Sequence, residues 1–258
     1  MDHVTSTSFS SPVLQPEERI LLREALYRRY ATSSSGIGGT ARWVRFFWKR
    51  NAWRLVIGLA RAIKRLVDLV VSTTLLIGLA PLFAAVALAI KLTDGGPALF
   101  WQTRVGQWGR EFPFPKFRSM VINAEQLKDT LLAQNDHQNG VTFKMKHDPR
   151  ITWIGRIIRK LSIDELPQLW CVFIGDMSLV GPRPPVPREV AQYTLADRRR
   201  LDAIPGLTCI WQVSGRGDIP FPQQVQLDVQ YIESQSLWLD IKLLFLTVPA
   251  VLLGKGAY

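Results

Sequence analysis

Between Leu66 and Ile90 the chain reads LVDLVVSTTLLIGLAPLFAAVALAI, 25 residues with one charge, Asp68, near the start. An apolar run longer than about 18 residues is typical of a membrane segment and exceeds an ordinary buried core helix. As one straight helix it would rise about 37 Å, enough for a hydrocarbon core of about 30 Å. Pro81 interrupts it, leaving 15 residues before the proline and 10 from it onward. Those arms rise only about 22 Å and 15 Å, so neither spans alone. Basic residues flank both sides, and the positive-inside tendency then puts both ends on the cytosolic face. A hairpin that re-enters the same face meets both conditions, and a kinked span is the other geometry open to the sequence.

The flanking charge is uneven. Of a net charge of +11, eight basic residues stand between Ala41 and Arg65 (Arg42, Arg45, Lys49, Arg50, Arg54, Arg61, Lys64, Arg65), with no acid among them. Interleaved with Trp43, Phe46, Phe47, Trp48 and Trp53, they suit an anionic membrane surface or a nucleic acid. The apolar run that follows favours the membrane. The first residues are polar, so no signal peptide is expected. Cys171 and Cys209 form no CxxC or Cys/His array and read as reduced core residues. His3, His137 and His147 have no zinc spacing.

These features divide the chain into four parts. Residues 1–40 are a flexible extension with a short helix from Pro16 to Tyr30, and residues 41–65 are a basic aromatic juxtamembrane segment. Residues 66–90 are the re-entrant membrane helix. Residues 91–258 are a cytosolic domain closed by an interfacial helix over Leu237–Leu253. Within the domain, Ala98–Val105 and Phe112–Phe117 are predicted as strands, the second confined to an edge by Pro113 and Pro115. Ala124–Gln134, Ile151–Lys160 and Arg188–Ala203 are predicted helical, Val141–Lys146 and Leu207–Val213 extended. The expected fold class is α+β: a membrane-embedded re-entrant hairpin carrying a small, mostly helical domain with a short β-hairpin.

The domain's chemistry concentrates in RKLSIDELPQLWCVFIGDMSLVGPRP, from Arg159 to Pro184. Ser162 and Glu165 have capping-box spacing, which predicts a helix that begins near Asp164 and runs through Leu169 and Trp170. Adjacent carboxylates Asp164 and Glu165 then sit at a helix N-terminus, where phosphate also binds well. Neighbouring residues on a helix point about 100° apart, so the two acids are expected to differ in role.

This stretch resembles the signature of the bacterial sugar transferase family, the monotopic polyprenol-phosphate phosphoglycosyl transferases. The resemblance extends from Lys64 to Tyr258 through KFRSM (Lys116–Met120), PGLT (Pro205–Thr208), WQVSGR (Trp211–Arg216) and the terminal Gly256-Ala257-Tyr258. It also includes Lys64-Arg65-x-x-Asp68, the family's membrane motif, although the family's Ser-Pro break is Ala80-Pro81 here. The resemblance implies transfer of a sugar 1-phosphate from a UDP-sugar to undecaprenyl phosphate, releasing UMP, as the first membrane step of exopolysaccharide, capsule or O-antigen assembly. It makes Asp164 the nucleophile of a covalent aspartyl phosphosugar and a ligand of Mg²⁺, with Glu165 assisting. It makes Lys116, Arg159, Arg183 and Arg216 phosphate-binding residues. The expected setting is the bacterial inner membrane with both termini cytosolic. The expected partners are the UDP-sugar, polyprenol phosphate and membrane lipid but no nucleic acid; a homodimer is among the oligomeric states left open. WQVSGR and the GAY ending lean toward galactose or glucose 1-phosphate. A non-catalytic membrane-tethered binder of nucleic acid or anionic lipid accounts for the charge and the apolar run, but leaves Asp164, Glu165 and GPRP without a purpose.

Overall fold

The computed structural model describes residues 37–124, 126–127 and 148–253. Residues 1–36, the expected strand Val141–Lys146, most of the helix expected over Ala124–Gln134, and the Gly256-Ala257-Tyr258 ending lie outside the described residues. The chain divides into two compact units at Leu59, and everything that shapes the site belongs to the second, from Ala60 onward.

Helix α1 (Ile37–Gly78) runs continuously from the basic aromatic segment into the apolar run, so the two segments predicted as distinct form one helix. It breaks at Leu79, and α2 (Ala80–Asp94) continues at a bend of 57°. Pro81 therefore lies in the first turn of α2 rather than inside a helix. There its missing N–H removes no intrahelical bond and its fixed φ suits a helix start. Among the described residues no single helix is long and apolar enough to cross a membrane, whereas the bent pair meets that test together.

After α2, β1 (Leu99–Val105) and β2 (Glu111–Phe117) form a two-stranded antiparallel hairpin. Each strand is an edge, which is why Pro113 and Pro115 are tolerated in β2. The pairing sets Phe100 opposite Lys116, Gln102 opposite Phe114 and Arg104 opposite Phe112, so these six side chains share one face. Helix α3 (Trp153–Lys160) begins where the Thr152 side chain accepts from the Gly155 N–H at 3.0 Å. A 3₁₀ turn (Ile163–Gln168) leads into α4 (Leu169–Ile174).

Strand β3 (Ser178–Val180) pairs in parallel with β4 (Gly206–Thr208). Between them lie α5 (Pro187–Val190) and a 3₁₀ turn (Asp197–Asp202), where one helix over Arg188–Ala203 was expected. The strand expected over Leu207–Val213 ends at Thr208, and Ile210–Ser214 is helix α6. Helices α7 (Phe221–Ser234) and α8 (Leu237–Leu253) complete the domain. The larger core cluster joins Phe112 and Phe114 to Leu169, Val172, Met177, Leu179, Val180, Tyr231 and Leu243, with Cys171 reduced and buried among them. A smaller cluster packs Val86 and Ile90 of α2 against Phe117 and Ile158.

Helix α1 is fastened to this core by the Lys64-Arg65-x-x-Asp68 motif. Lys64 Nζ donates to Asp240 Oδ2 at 2.6 Å and to the Val180 carbonyl at 3.1 Å. Tyr231 Oη donates to Asp240 Oδ1 at 2.7 Å. The Arg65 guanidinium donates to the carbonyls of Val172 and Phe173, both at 2.6 Å, satisfying acceptors that the end of α4 leaves open. Asp68, 5% exposed, accepts from Ser178 Oγ at 3.1 Å and from the Leu179 N–H at 3.0 Å. All three side chains of this motif are thus bonded to groups of the domain.

Candidate active site

The expected capping box does not form. Ser162 takes a left-handed backbone (φ 54°) and makes no side-chain cap, and Asp164 and Glu165 fall in the 3₁₀ turn ahead of α4 rather than in an α-helix. Glu165 is drawn elsewhere. Its Oε1 accepts from Lys116 Nζ at 2.8 Å and from Arg183 Nη2 at 2.6 Å, and its Oε2 accepts from Arg183 Nη1 at 3.1 Å. Charge-assisted bonds of this kind are about twice as strong as neutral ones, which is why a cap cannot compete for this side chain.

Arg183 reaches Glu165 because of how β3 ends. Gly181 donates its N–H to the Thr208 carbonyl at 3.0 Å, and Gly206 donates to the Pro182 carbonyl at 2.9 Å, so GPRP and PGLT interlock at backbone contact. A Cβ at Gly181 would collide with the Ile204 carbonyl, and one at Gly206 with Gly181 itself. Only glycine permits this approach.

Asp164, adjacent to this ion pair, is 8% exposed. Burial and the neighbouring Glu165 charge push its carboxyl up to about 6, against the pull of Lys116, Arg159 and Arg183. Glu165 moves the other way. Burial alone would raise it, but Arg183 and Lys116 hold it well below the usual carboxylate range. Burial lowers the Lys116 ammonium despite the attraction of Glu165. Two adjacent acids are thus driven apart: Glu165 is a fixed anion locked to its cations, and Asp164 ionises close to neutrality.

Asp164 and Glu165 line a cavity of about 1210 Å³. The four basic residues singled out from sequence, Lys116, Arg159, Arg183 and Arg216, all line it as well. Eight basic residues line this cavity against three acidic ones; Arg118 and Arg150 are paired with Asp94 and Asp148 behind the lining, and the remaining cations still outnumber the acids, which suits a multiply charged anion. Arg216 has a left-handed backbone (φ 51°), as does Ser162, so two residues of the cavity wall hold uncommon conformations. The lining also has an apolar part: Val71 and Leu75 of α1, Leu179 and Leu207 of β3 and β4, Leu244 and Val248 of α8. Pro81 does not line the cavity, and Lys64, Arg65 and Asp68 stay in their fastening.

The sequence reading missed Arg104, Arg118 and Gln102, which also line the cavity. Arg118 pairs with Asp94 at the end of α2. The signal for Gln102 and Arg104 was their i, i+2 spacing in a predicted strand, which sets both on one face.

Among the described residues no three His, Cys, Asp or Glu side chains cluster as a metal site. Mg²⁺ needs only one or two protein carboxylates when phosphate oxygens and water supply the rest. With Glu165 saturated by Lys116 and Arg183, Asp164 is the carboxylate of this pair whose environment leaves it for that task, and the donor set fits on that basis.

Residues 59–254 match the family described as bacterial sugar transferase. The galactosyl transferase CpsE of Streptococcus agalactiae is 56% identical over 165 residues, covering 64% of this chain and 36% of that protein. The undecaprenyl-phosphate galactose phosphotransferase of Salmonella typhimurium is 47% identical over 203 residues, covering 77% of this chain and 42% of that protein. The exopolysaccharide production protein ExoY of Sinorhizobium fredii is 39% identical over 198 residues, covering 76% of this chain and 88% of that protein. The chain therefore spans less than half the length of the first two relatives and most of the third. On the extent of the family match, the chain belongs to the bacterial sugar transferase family.

Proposed function

We propose that this protein transfers a hexose 1-phosphate from a UDP-sugar to undecaprenyl phosphate, releasing UMP. The observation that carries the reading is a single cavity lined by a buried carboxylate, by cations in excess of acids, and by apolar side chains. Cations suit the diphosphate of the donor, and the apolar side chains suit the polyprenol chain of the acceptor. In the first half-reaction a carboxylate oxygen of Asp164 attacks the sugar-linked phosphorus. A phosphorus–oxygen bond forms as the bond to UMP breaks, and UMP leaves with that electron pair. In the second, a phosphate oxygen of undecaprenyl phosphate attacks the same phosphorus and the Asp164–phosphorus bond breaks. The sugar keeps its bond to phosphate throughout.

Glu165 stays ionised and orients Lys116 and Arg183 toward the transferred group, while Arg159 and Arg216 neutralise its remaining charge. Mg²⁺, held by Asp164 and the substrate's own phosphates, would supply charge neutralisation. Names among the relatives specify galactose and glucose, so these two sugars are the proposed cargo.

The apolar faces of α1 and α2, including Ile77, Leu82, Leu88 and Leu92, are exposed, as are Trp238 and Phe245 of α8. They support a re-entrant hairpin in the inner membrane, with both ends cytosolic and the cavity held near the lipid head groups. In a variant with Cys171 and Cys209 replaced, single cysteines at Ser35 and Gln235 should both resist an impermeant thiol reagent in intact cells and react after lysis. Labelling of the Ser35 site alone in intact cells would contradict the hairpin. The function itself is tested by incubating purified protein with UDP-galactose or UDP-glucose, Mg²⁺ and undecaprenyl phosphate. Multiple-turnover UMP release that requires the lipid supports it, and no release with either sugar overturns it. A membrane-tethered binder without catalysis would leave the buried Asp164 unexplained.

A further inference from the structure

Two contacts tie the loop that carries Arg183 to β1. The Val105 N–H donates to the Pro185 carbonyl at 2.9 Å, and Arg104 Nη1 donates to the Pro184 carbonyl at 3.0 Å. Arg104 Nη2 donates in turn to Gln102 Oε1 at 2.8 Å. The Arg104 guanidinium lies 5.1 Å from the centre of the Phe114 ring, and Lys116 Nζ lies 5.4 Å from the same centre. Phe114 is therefore an uncharged post against which two cations of the site are set, one paired with Glu165 and the other with the backbone beside Arg183.

Arg104 is a costly choice if its task is only to hold the fold. Its Nε is buried and has no hydrogen-bond partner among the described residues. Burial, and after it the Arg183 charge, lower its pKa to about 10. The main-chain bond from Val105 already joins strand to loop, and a methionine could cover Phe114 without desolvating a charge. What a hydrophobic side chain could not do is grip the carbonyl next to Arg183 and fix the height of that loop. Arg183 meets Glu165 through a two-bond fork, a geometry that tolerates little displacement.

We infer that Arg104 is a positioning residue of the transfer reaction: by holding the Pro184 carbonyl it keeps the Arg183 fork on Glu165 and beside Asp164. The inference rests on the function proposed above. It predicts that Arg104 acts through Arg183, which a double-mutant cycle detects.

Arg104→Met, Arg183→Lys and the double variant are purified as full chains in lipid nanodiscs and compared with wild type for UMP release and for Tm. Each single variant should lower kcat about 10- to 100-fold, with a smaller change in KM, because misplacing a clamp costs the transition state more than ground-state binding. The double variant should fall well short of the product of the two single losses, since a misplaced lysine has no fork left to misalign. Arg104→Lys keeps the charge but not the two-bond grip and should recover only part of the rate. Losses that multiply in the double variant would make Arg104 an independent contributor and overturn the inference. So would an Arg104→Met protein whose Tm falls while the folded fraction turns over like wild type. Wild-type protein that released no UMP would overturn the proposed function, and this inference with it. An active wild type with multiplying losses would overturn this inference alone.

Discussion

Two clusters of buried charge in this molecule use the same residue types and serve opposite ends. In the fastening of α1, Asp240 has a donor on each oxygen, Lys64 on one and Tyr231 on the other, and Lys64 also meets the Val180 carbonyl. The charges are balanced and the cluster is closed. In the cavity, Glu165 is equally well satisfied, but the residue before it, Asp164, is a second buried carboxylate raised to about 6 where cations outnumber acids. A closed ion pair secures a helix, whereas an unbalanced one is where the proposed function puts the reactive group and its anion, at some cost in stability.

The sharpest way to separate the clusters is to remove one charge from each. Asp164→Asn should lower turnover by about 10³-fold or more, since it takes away the proposed nucleophile. The same change should stabilise the fold. A carboxyl whose folded pKa lies above its unfolded value of 3.8 loses stability as pH rises from about 4 to about 6, and bears the full cost above that. Relieving it at pH 7.5 should therefore gain about 1 to 3 kcal/mol, read as a higher Tm. An Asn variant that is both inactive and less stable would erase the contrast.

Lys64→Met should do the reverse. It leaves Asp240 buried without its cation, which should cost about 3 kcal/mol and lower Tm by several degrees, while the folded fraction keeps its specific activity. Adding Asp240→Leu should restore most of the loss, because hydrophobic replacement of a closed pair is close to neutral. The corresponding double change at Lys116 and Glu165 should abolish turnover whatever it does to Tm. A Lys64→Met protein that folds normally but fails to turn over would move the fastening into the chemistry.

A smaller effect comes from pH. If Asp164 is the nucleophile it must be ionised, so kcat/KM for UMP release should rise with pH, pass half its maximum near pH 6 and then level off. At pH 5 the rate should be about tenfold below the plateau. A flat profile between pH 5 and 7 would mean that the buried carboxyl is not the group being titrated.

How much of this was legible beforehand differed between the same two regions. The apolar run, its break near Pro81 and the β-hairpin followed from periodicity and composition, because burial and backbone chemistry act locally there. The break itself lies at Leu79, since proline at the second position of α2 terminates nothing. Asp164, Glu165, Lys116, Arg159, Arg183 and Arg216 of the cavity were legible one by one, but how Glu165 is tied to its cations was not. Ser162 and Glu165 had the spacing of a cap, and what overrode it was Lys116 and Arg183, 49 and 18 residues distant from Glu165 along the chain. Leu207–Val213 had strand composition, yet α6 replaces its second half where it packs against α7 and α8. Arg104 was visible only as one cation of several after the apolar run. Its neighbour in space, the Pro184 carbonyl, is 80 residues further along.

The central claim is that Asp164, and not its better-satisfied neighbour, carries the transferred group. Intact-protein mass spectrometry, after brief incubation with UDP-galactose or UDP-glucose and Mg²⁺ but no lipid acceptor, addresses it directly. Wild type should gain the mass of one hexose phosphate and release one equivalent of UMP. The adduct should map to the peptide bearing Asp164, disappear when undecaprenyl phosphate is added, and be absent from Asp164→Asn. Turnover by wild type with no adduct at any time point, or an adduct that persists in Asp164→Asn and maps to Glu165, would contradict the account.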